Sequence, residues 1–439
     1  MAKAFTRDGD ALLCRFGGET IRVEAWGPDA NRVRARPGRQ VVEPFVDALL
    51  PASEGAPLVL IDENSASLTN GRIRTELTVV DRYGADVRRE VVIRHFRADT
   101  GAELLAETRS HFAGPKTRSF KGIASASWRL EQQFRAYEGE HLYGLGQPQH
   151  GQMDLKGVST TLLQQNAHAV IPFVLSSRGY GFLWNNPATG RAEFASNITR
   201  WTADATGGLD YWIVAGDTPA DILRAYAAAT GKSPEIPAWA LGFWQCKLRY
   251  RTQEEVLGVA REYRRRGLPL SCIVIDFFHW TRQGDWKFHP EEWPDPAGLV
   301  RELREMGIET MVSVWPTMSA SSENYRDMVD AGHLLTTERG VPAVIPFPDK
   351  DPFGAGFFTY YDAFNPDARD RHWDIVKKNY VDLGFDNFWL DACEPEMRPA
   401  HPENVRTALG NGAEMLCAYP VLHEERYRAG LRAEDRDGV

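Results

Sequence analysis

Short apolar runs alternate with amphipathic helical segments throughout the second half of the chain. Four such runs can be read, at 240–244, 272–278, 310–315 and 387–391. A strand that is apolar on both faces is typical of a parallel sheet, because the crossover connections of such a sheet place helices against it. The pattern predicts a parallel α/β domain, in which a closed barrel is favoured over an open sheet but is not separated from it by periodicity alone.

The helical segments between these runs have recognisable ends. Thr252, followed three residues later by Glu255, predicts the capped start of a helix that ends at Gly267. Asp295-Pro296 and Asn365-Pro366 predict two further helix starts, because proline is favoured at the first helical position. Strand and helix therefore alternate three times, as in a series of βα units.

Upstream of residue 237, apolar residues recur at every second position. Alternating runs such as 22–26, 74–80 and 90–96 are separated by turns rich in Gly, Asp, Asn and Pro. This pattern is typical of antiparallel strands with one buried face, and it predicts a large β-sandwich. A single helix, predicted at about 219–230, leads into the proline-rich linker 233–237.

We therefore expect a multidomain α+β chain. An N-terminal antiparallel β-sandwich with its linker takes residues 1–236, and residues 237–439 form the first half of a (β/α)8 TIM barrel, about four βα units, with an insertion at about 317–364. The barrel is expected to be incomplete because only 48 residues follow Asp391, whereas each βα unit needs about 30 residues or more. Half a barrel would leave an unpaired strand edge and an exposed apolar face.

Charge and cysteine content disfavour several classes of function. The formal net charge is −9 and no run of lysines or arginines is longer than three residues, so neither nucleic acid nor an anionic membrane is an expected partner. The five cysteines lack the spacing of a zinc site or of a disulfide framework. No signal peptide can be recognised in the sequence, and we expect a cytoplasmic protein.

Polar and aromatic residues stand where three of the predicted strands end. Asp276, Trp315 and Asp391 occupy these positions. The carboxyl ends of parallel barrel strands converge on one face, so we expect the three side chains to surround one small ligand. Carboxylates accept hydrogen bonds from hydroxyl groups and aromatic rings cover C–H surfaces, which indicates a sugar. Asp391 is the leading catalytic candidate, and the alternative is that it is a solvated strand-end acid or a helix N-cap. For Asp276 the alternative of a structural acid has more weight, since a single acid at a strand end is often structural.

Several motifs in a fixed order carry a resemblance to a known enzyme family. They are Gly242-Phe243-Trp244-Gln245-Cys246-Lys247 with Arg249-Tyr250, then Ile275-Asp276, then Ser313-Val314-Trp315-Pro316, and then Trp389-Leu390-Asp391-Ala392-Cys393-Glu394-Pro395-Glu396. In order and spacing the chain resembles glycoside hydrolase family 31. It looks like the α-xylosidase branch, and other members of the family include α-glucosidases and α-transglucosylases. The resemblance covers roughly residues 140–435.

The resemblance implies a retaining α-glycosidase that uses double displacement on terminal α-linked xylose or glucose of oligosaccharides, without a metal or an organic cofactor. By motif match, Asp391 takes the place of the nucleophile, Asp276 that of an acid that binds sugar hydroxyls, and Trp315 that of an aromatic wall. Trp389 stands where other members have a lysine two residues before the nucleophile. Glu394 is expected to hold the side chain of the nucleophile in place.

Four further residues are candidates for substrate binding. Phe277 directly follows Asp276, while Trp244 and Lys247 follow the first barrel strand and could equally be core or solvent-exposed residues. The resemblance also implies a galactose-mutarotase-like sandwich whose loop 147–154, which ends at Asp154, reaches over the barrel mouth.

The acid/base residue of the family has no counterpart in the sequence. In family members it comes from strands after a segment like 419–430, and neither Asp435 nor Asp437 is assigned to this role. We therefore expect the chain to be inactive by itself. Two other interpretations stay open: an α-glucosidase or α-transglucosylase with the same residues, and a non-catalytic carbohydrate-binding protein in which the short barrel is genuine. The resemblance also allows an oligomer.

Overall fold

The computed structural model describes residues 4–436 except 39, 42, 53–54, 82–88, 110–115, 124–125, 351–355 and 398–400. The chain divides into two compact units: unit 1 is Met1–Ser233 with Ala413–Met415, and unit 2 is Pro234–Gly412 with Leu416–Val439. None of the helices in the described part of the chain combines the length and the apolar character that a membrane span requires. Asp437 lies outside the described residues.

Unit 1 is built from antiparallel strands. In chain order they are β1 (Phe5–Asp8), β2 (Ala11–Phe16), β3 (Glu19–Ala25), β4 (Ala30–Pro37), β5 (Leu58–Ile61), β6 (Ser65–Asn70), β7 (Ile73–Asp81), β8 (Arg89–Arg97), β9 (Glu103–Ala106), β10 (Arg118–Gly122), β11 (Trp128–Arg135), β12 (Leu142–Gln147), β13 (Ser159–Leu162), β14 (Ala169–Ser176), β15 (Tyr180–Trp184), β16 (Gly190–Phe194), β17 (Ile198–Thr206) and β18 (Leu209–Ala215).

These strands form sheets that share one core. The strand orders are β1-β2-β3-β4-β18-β15-β14-β12, β10-β11-β17-β16-β13 and β5-β6-β7-β8-β9. Leu68, Leu130 and Tyr211, one from each sheet, belong to the same cluster of buried residues. Since the sheets pack their apolar faces together, the unit is a sandwich-like domain, as the alternating pattern predicts.

Helix α1 (Pro219–Thr230) is present where the sequence predicts it. Thr218 and Asp221 form a reciprocal capping box at its start, which satisfies backbone N–H groups that have no partner within the helix. Ile222 anchors the helix in a second apolar cluster that contains Trp212.

Unit 2 combines parallel strands, helices and small antiparallel sheets. Its strands are β19 (Trp244–Cys246), β20 (Cys272–Ile275), β21 (Glu309–Val314), β22 (Thr317–Ser319), β23 (Thr336–Thr337), β24 (Val344–Pro346), β25 (Phe357–Tyr360), β26 (Asn387–Leu390), β27 (Val405–Thr407) and β28 (Gly410–Asn411). The helices are α2 (Gln253–Arg265), α3 (Pro296–Glu305), α4 (Tyr325–Asp330), α5 (Pro366–Asn379), α6 (Gly412–Met415), which crosses the unit boundary, and α7 (Tyr419–Ala433).

The sheet β19-β20-β21-β26 is parallel throughout. Thr252, Asp295 and Asn365 cap α2, α3 and α5 as the sequence predicts. Helix α2 contacts β20, and α3 contacts β21. Each of these strands is therefore followed or preceded by a helix that covers one face of the sheet, as in βα units.

Two of the predicted strands have different bounds in the structure. The run 240–244 is mostly not a strand: Ala238–Leu241 is a short 3-10 helix, and β19 begins only at Trp244. Pro237 favours a helical start and has no N–H for a sheet ladder. The run 272–278 forms a strand only to Ile275, because Phe278 adopts a left-handed conformation with φ 65° that ends the extended chain.

The segment between β21 and α5 carries its own small sheets. Strands β22-β25-β24 form one antiparallel sheet, and β23 pairs with β27 beside β28 in another. The short helix α4 lies between β22 and β23 in the sequence. This segment corresponds to the insertion expected at about 317–364, of which residues 351–355 are not described.

Close packing between α5 and α7 gives a first testable prediction. A Cβ atom at Gly430 of α7 would overlap the indole ring of Trp373 on α5, whereas one at Gly258 of α2 would meet nothing within 4 Å. Gly430→Ala should therefore lower the free energy of unfolding by about 1–3 kcal/mol, although alanine is the better helix former. Gly258→Ala should raise it by up to about 1 kcal/mol. Urea unfolding of both variants measures these changes, and a neutral Gly430→Ala would contradict the packing.

A buried histidine in the same region predicts a pH dependence of stability. His423 of α7 shares a 2.7 Å hydrogen bond between its Nδ1 and the Tyr361 hydroxyl, and burial lowers its pKa to about 3. The unfolded chain binds this proton near pH 6.5, so the stability that His423 contributes is present above that pH and is lost as the pH falls towards 3.

His423→Phe should remove this titration. Between pH 6 and 4 the slope of the unfolding free energy against pH should decrease by up to about 1.4 kcal/mol per pH unit. Urea titrations at a series of pH values measure it. His401→Phe, at an exposed position, is the control, and an equal slope in His423→Phe and the unsubstituted chain would contradict the assignment.

Candidate active site

Three candidate residues follow the last paired positions of neighbouring parallel strands. Ile275 pairs with Val312, and Val314 pairs with Leu390. Asp276, Trp315 and Asp391 therefore leave the sheet at the same edge, which is the carboxyl edge of the strands. The Asp391 N–H continues the ladder by donating to the Val314 carbonyl oxygen at 3.2 Å.

Asp391 is followed at once by a backbone turn. Ala392 has φ 53°, a left-handed conformation that costs a residue with a Cβ atom about 1–2 kcal/mol. Its methyl group packs against the aromatic cluster that contains Phe277 and Trp315. This contact ties the end of β26 to the ends of β20 and β21, and Asp391 itself remains half-buried.

Aromatic rings form a wall beside the strand ends. The ring centroids of Phe277 and Trp315 lie 5.1 Å apart, and Phe347 from the inserted segment meets Trp315 edge-on at 5.3 Å. The Trp286 indole N–H donates to the Trp315 carbonyl oxygen at 2.8 Å. Trp315 is only 7% exposed, so its ring is held rigidly.

Asp276 is held by the loop that follows it. One oxygen of its carboxylate accepts a 2.7 Å hydrogen bond from the Phe277 N–H. Buried His279 bridges its Nδ1–H to the Asp276 carbonyl oxygen at 3.0 Å, and its Nε2 accepts from the Tyr380 hydroxyl at 2.8 Å. Burial raises the pKa of Asp276, the charge of Asp391 raises it further, and the Phe277 N–H opposes the change. The two carboxylates are therefore close enough to repel each other.

Two more carboxylates extend this group. Burial, then the charges of Asp391 and Glu396, raise the pKa of Glu394. Burial and the charge of Glu394 in turn raise the pKa of Glu424 on α7. The sequence analysis missed Glu424, which is an exposed residue of α7 by its accessible surface and follows the buried His423.

Trp244 and Trp389 lie on a different cavity of unit 2. The Trp244 ring stacks on Trp239 at 5.5 Å, and its N–H donates to the Ala240 carbonyl oxygen. Trp389 is 49% exposed. Both line a cavity of about 980 Å³ together with Met311 and residues of α7, so the structure groups them apart from Phe277 and Trp315.

Lys247 and Asp154 complete the set of predicted residues. Lys247 is exposed and forms an ion pair with Glu255. Asp154 belongs to unit 1, where it accepts a 2.7 Å hydrogen bond from His141 Nδ1 that lowers its pKa. Its other oxygen accepts from the Leu142 N–H at 3.2 Å, so within unit 1 Asp154 fastens the loop to β12.

The sequences of both units match one enzyme family. Residues 233–438 match the Glycosyl hydrolases family 31 TIM-barrel domain, and residues 20–192 match the Glycosyl hydrolase 31 N-terminal galactose mutarotase-like domain. A relative from Pseudescherichia vulneris, described as an uncharacterized family 31 glucosidase ORF2, is 43% identical over 437 residues, which are 98% of this chain and 81% of the relative. The chain belongs to glycoside hydrolase family 31.

Other relatives of this family 31 chain are α-xylosidases. The α-xylosidase of Saccharolobus solfataricus is 35% identical over 325 residues, which cover 70% of this chain and 41% of the relative. The crystal structure of a family 31 α-xylosidase from a soil metagenome, complexed with xylose, is 41% identical with a TM-score of 0.90, over 98% of this chain and 64% of that protein. The chain thus spans less than two thirds of either protein. These relatives confirm the predicted family and support a glycosidase function.

The repulsion between the two aspartates can be measured. In this family 31 chain, Asp391→Asn removes the negative charge that helps to raise the pKa of Asp276. The pKa of Asp276 should then fall, but should stay above its ordinary value because burial remains. Carboxyl ¹³C chemical shifts of selectively labelled aspartate, followed against pH, report the change. Asp374→Asn on exposed helix α5 is the matched control, and an unchanged Asp276 titration in Asp391→Asn would contradict the proximity of the two groups.

Proposed function

We propose that unit 2 supplies the nucleophile side of a retaining α-glycosidase site, with Asp391 as the nucleophile. The observation that supports this most is that Asp391, Asp276 and the wall of Phe277 and Trp315 lie at the same carboxyl edge of the parallel sheet. A carboxylate, a second acid and an aromatic face at one sheet edge suit a sugar ring, whose hydroxyls need acceptors and whose C–H face needs an apolar partner.

The proposed reaction is a double displacement. The Asp391 carboxylate attacks the anomeric carbon and forms a covalent glycosyl-enzyme, while a second carboxyl group about 5–5.5 Å away protonates the leaving oxygen and later activates water. Asp276 accepts hydrogen bonds from hydroxyls of the sugar, and Trp315 bounds it. Burial and the charge of Asp391 raise the pKa of Glu394, which agrees with a position of Glu394 close to the proposed nucleophile.

We assign the acid/base role to none of the acids of this chain. We propose instead that residues 237–439, with the insertion at 317–364, form the first half of the barrel after a sandwich over 1–236, and that the acid/base group lies on strands of the other half. Among the described residues, β26 pairs on one side only, with β21, which leaves a position for the next strand. The proposed substrate is a terminal α-linked xylose, since the soil-metagenome α-xylosidase was solved with xylose.

Assays on aryl α-xyloside and aryl α-glucoside test the proposal. The 439-residue chain alone should show no turnover, because loss of a general acid costs about 10²–10⁴-fold and an open site also loses positioning. In a polypeptide that carries the complete barrel, the xyloside should be preferred, and Asp391→Asn should reduce kcat by about 10⁴-fold or more.

The exposed Asp374→Asn in the same polypeptide should leave kcat unchanged. Full activity of Asp391→Asn would refute the nucleophile assignment. Turnover by the 439-residue chain at the level of the complete protein would refute the half-barrel proposal. A preference for the glucoside would make the protein an α-glucosidase, because the pocket around C6 must then be open.

A further inference from the structure

A cationic cleft lies beside the candidate active site. It has a volume of about 410 Å³ and is lined by Lys247, Leu248, Arg249, Arg251, Phe277 and Phe278. The first four residues follow β19 and the two phenylalanines follow Asp276, so the cleft opens at the carboxyl ends of β19 and β20. Its volume is in the range of pockets that hold small ligands, and it can receive one saccharide unit.

Two of the three cationic side chains of this cleft, Arg249 and Arg251, form no ion pair with any described residue, whereas Lys247 does. Lys247 pairs with Glu255, whose second oxygen accepts from the Arg251 backbone N–H. The Arg249 guanidinium lies 5.5 Å from the centre of the Phe278 ring. Within the described part of the chain, no carboxylate lies at ion-pair distance from either arginine side chain. Arg251 acts on Glu255 only through its charge, without a direct side-chain contact, so an anion can be the direct partner of either guanidinium group.

The cleft and the acidic group adjoin each other. Burial raises the pKa of Cys246, and the charge of Asp276 raises it further. Cys246 directly precedes Lys247, so the field of Asp276 reaches the strand end from which the cationic segment starts. The carboxylate of Asp276, proposed to bind sugar hydroxyls, therefore lies beside the cationic cleft. The net charge of the whole protein is −9. A local positive cleft on an acidic protein attracts anions that the net charge of the molecule repels.

We propose that this cleft binds an anionic substituent, a carboxylate or a phosphate, on the saccharide unit that neighbours the sugar held by Asp276. The guanidinium groups of Arg249 and Arg251 offer the forked donors that match either anion. Phe277 and Phe278 supply apolar surface for the ring that carries it. The substrate class is then an acidic oligosaccharide with a neutral terminal sugar. This inference rests on the proposed function, because it takes Asp276 as a sugar-binding acid.

Calorimetric titration of the 439-residue chain with five probes tests the inference: methyl α-xyloside, glucose, glucuronate, glucose 6-phosphate and inorganic phosphate. Glucuronate or glucose 6-phosphate, whichever anion is recognised, should bind about tenfold or more tightly than glucose does. The binding should weaken when NaCl rises from about 50 to about 500 mM. Equal affinity for glucose and for both anionic sugars would overturn the inference. So would inorganic phosphate binding as tightly as the sugar phosphate, since the cleft would then select no saccharide.

Variants locate the binding in the cleft. Arg249→Gln with Arg251→Gln should weaken the anionic sugar by about tenfold or more, while Arg249→Lys with Arg251→Lys should weaken it less because the charge is kept. Arg326→Gln on α4, exposed and outside the cleft, removes one charge elsewhere and should change nothing. Equal loss in Arg326→Gln would show a general charge effect and overturn the assignment. Circular dichroism confirms that each variant is folded.

The neutral probe separates this inference from the proposed function. Methyl α-xyloside should bind the unsubstituted chain and the double glutamine variant equally, and Asp276→Asn should weaken it. If that pattern holds while the affinity for anionic sugars is the same with and without the two arginines, the cleft assignment fails and the proposed function stands. If Asp276→Asn leaves methyl α-xyloside binding unchanged, the sugar-binding role of Asp276 fails, and the inference that depends on it fails as well.

Discussion

The register of the parallel sheet is the constraint on which the candidate site depends. Because side chains alternate across a strand, a slip of one residue between β20, β21 and β26 would turn every strand-end group to the opposite face. Apolar packing holds the strands in this register: Ile273, Ile275, Val312 and Val314 are buried on one face, and Cys272, Val274 and Met311 are buried on the other. The positions of the strand-end groups therefore follow from apolar packing of the strands that carry them, and not from interactions among the charged groups themselves.

The ionised carboxylates of this group reduce the stability of the folded chain. Asp276 and Glu394 have raised pKa values because both are partly buried and both face Asp391. A carboxyl group whose folded pKa is raised stabilises the folded chain most at low pH, and this contribution is lost as pH rises through the folded pKa. Buried His279 has the opposite dependence, since burial lowers its pKa to about 3. Clusters of carboxyl groups with perturbed pKa values are typical of catalytic sites in enzymes, which agrees with the proposed role of Asp391.

Local sequence signals predicted the elements of unit 2 better than their ends. Proline at the first helical position and a capping side chain act within one turn, so the starts of α3 and α5 could be predicted. The start of β19 could not be predicted, because apolar content alone does not distinguish a strand from the short 3-10 helix before it. The strand-end acids Asp276 and Asp391 could be named from their motifs, but Glu424 reaches the group only through the packing of α7. The cationic cleft was equally hidden, since whether Lys247 or Arg249 is paired depends on tertiary contacts.

Backbone strain at the strand ends is part of how the acids are held. Phe278, two residues after Asp276, and Ala392, directly after Asp391, have left-handed φ angles of 65° and 53°. Such conformations persist only where surrounding contacts over-determine them, and both residues pack into the same aromatic cluster with Trp315. Glycine would relieve the strain at either position, but it would also remove the side chain that joins the turn to the cluster. The aromatic cluster thus supplies the packing that holds the two strand ends, and with them Asp276 and Asp391, at one edge of the sheet.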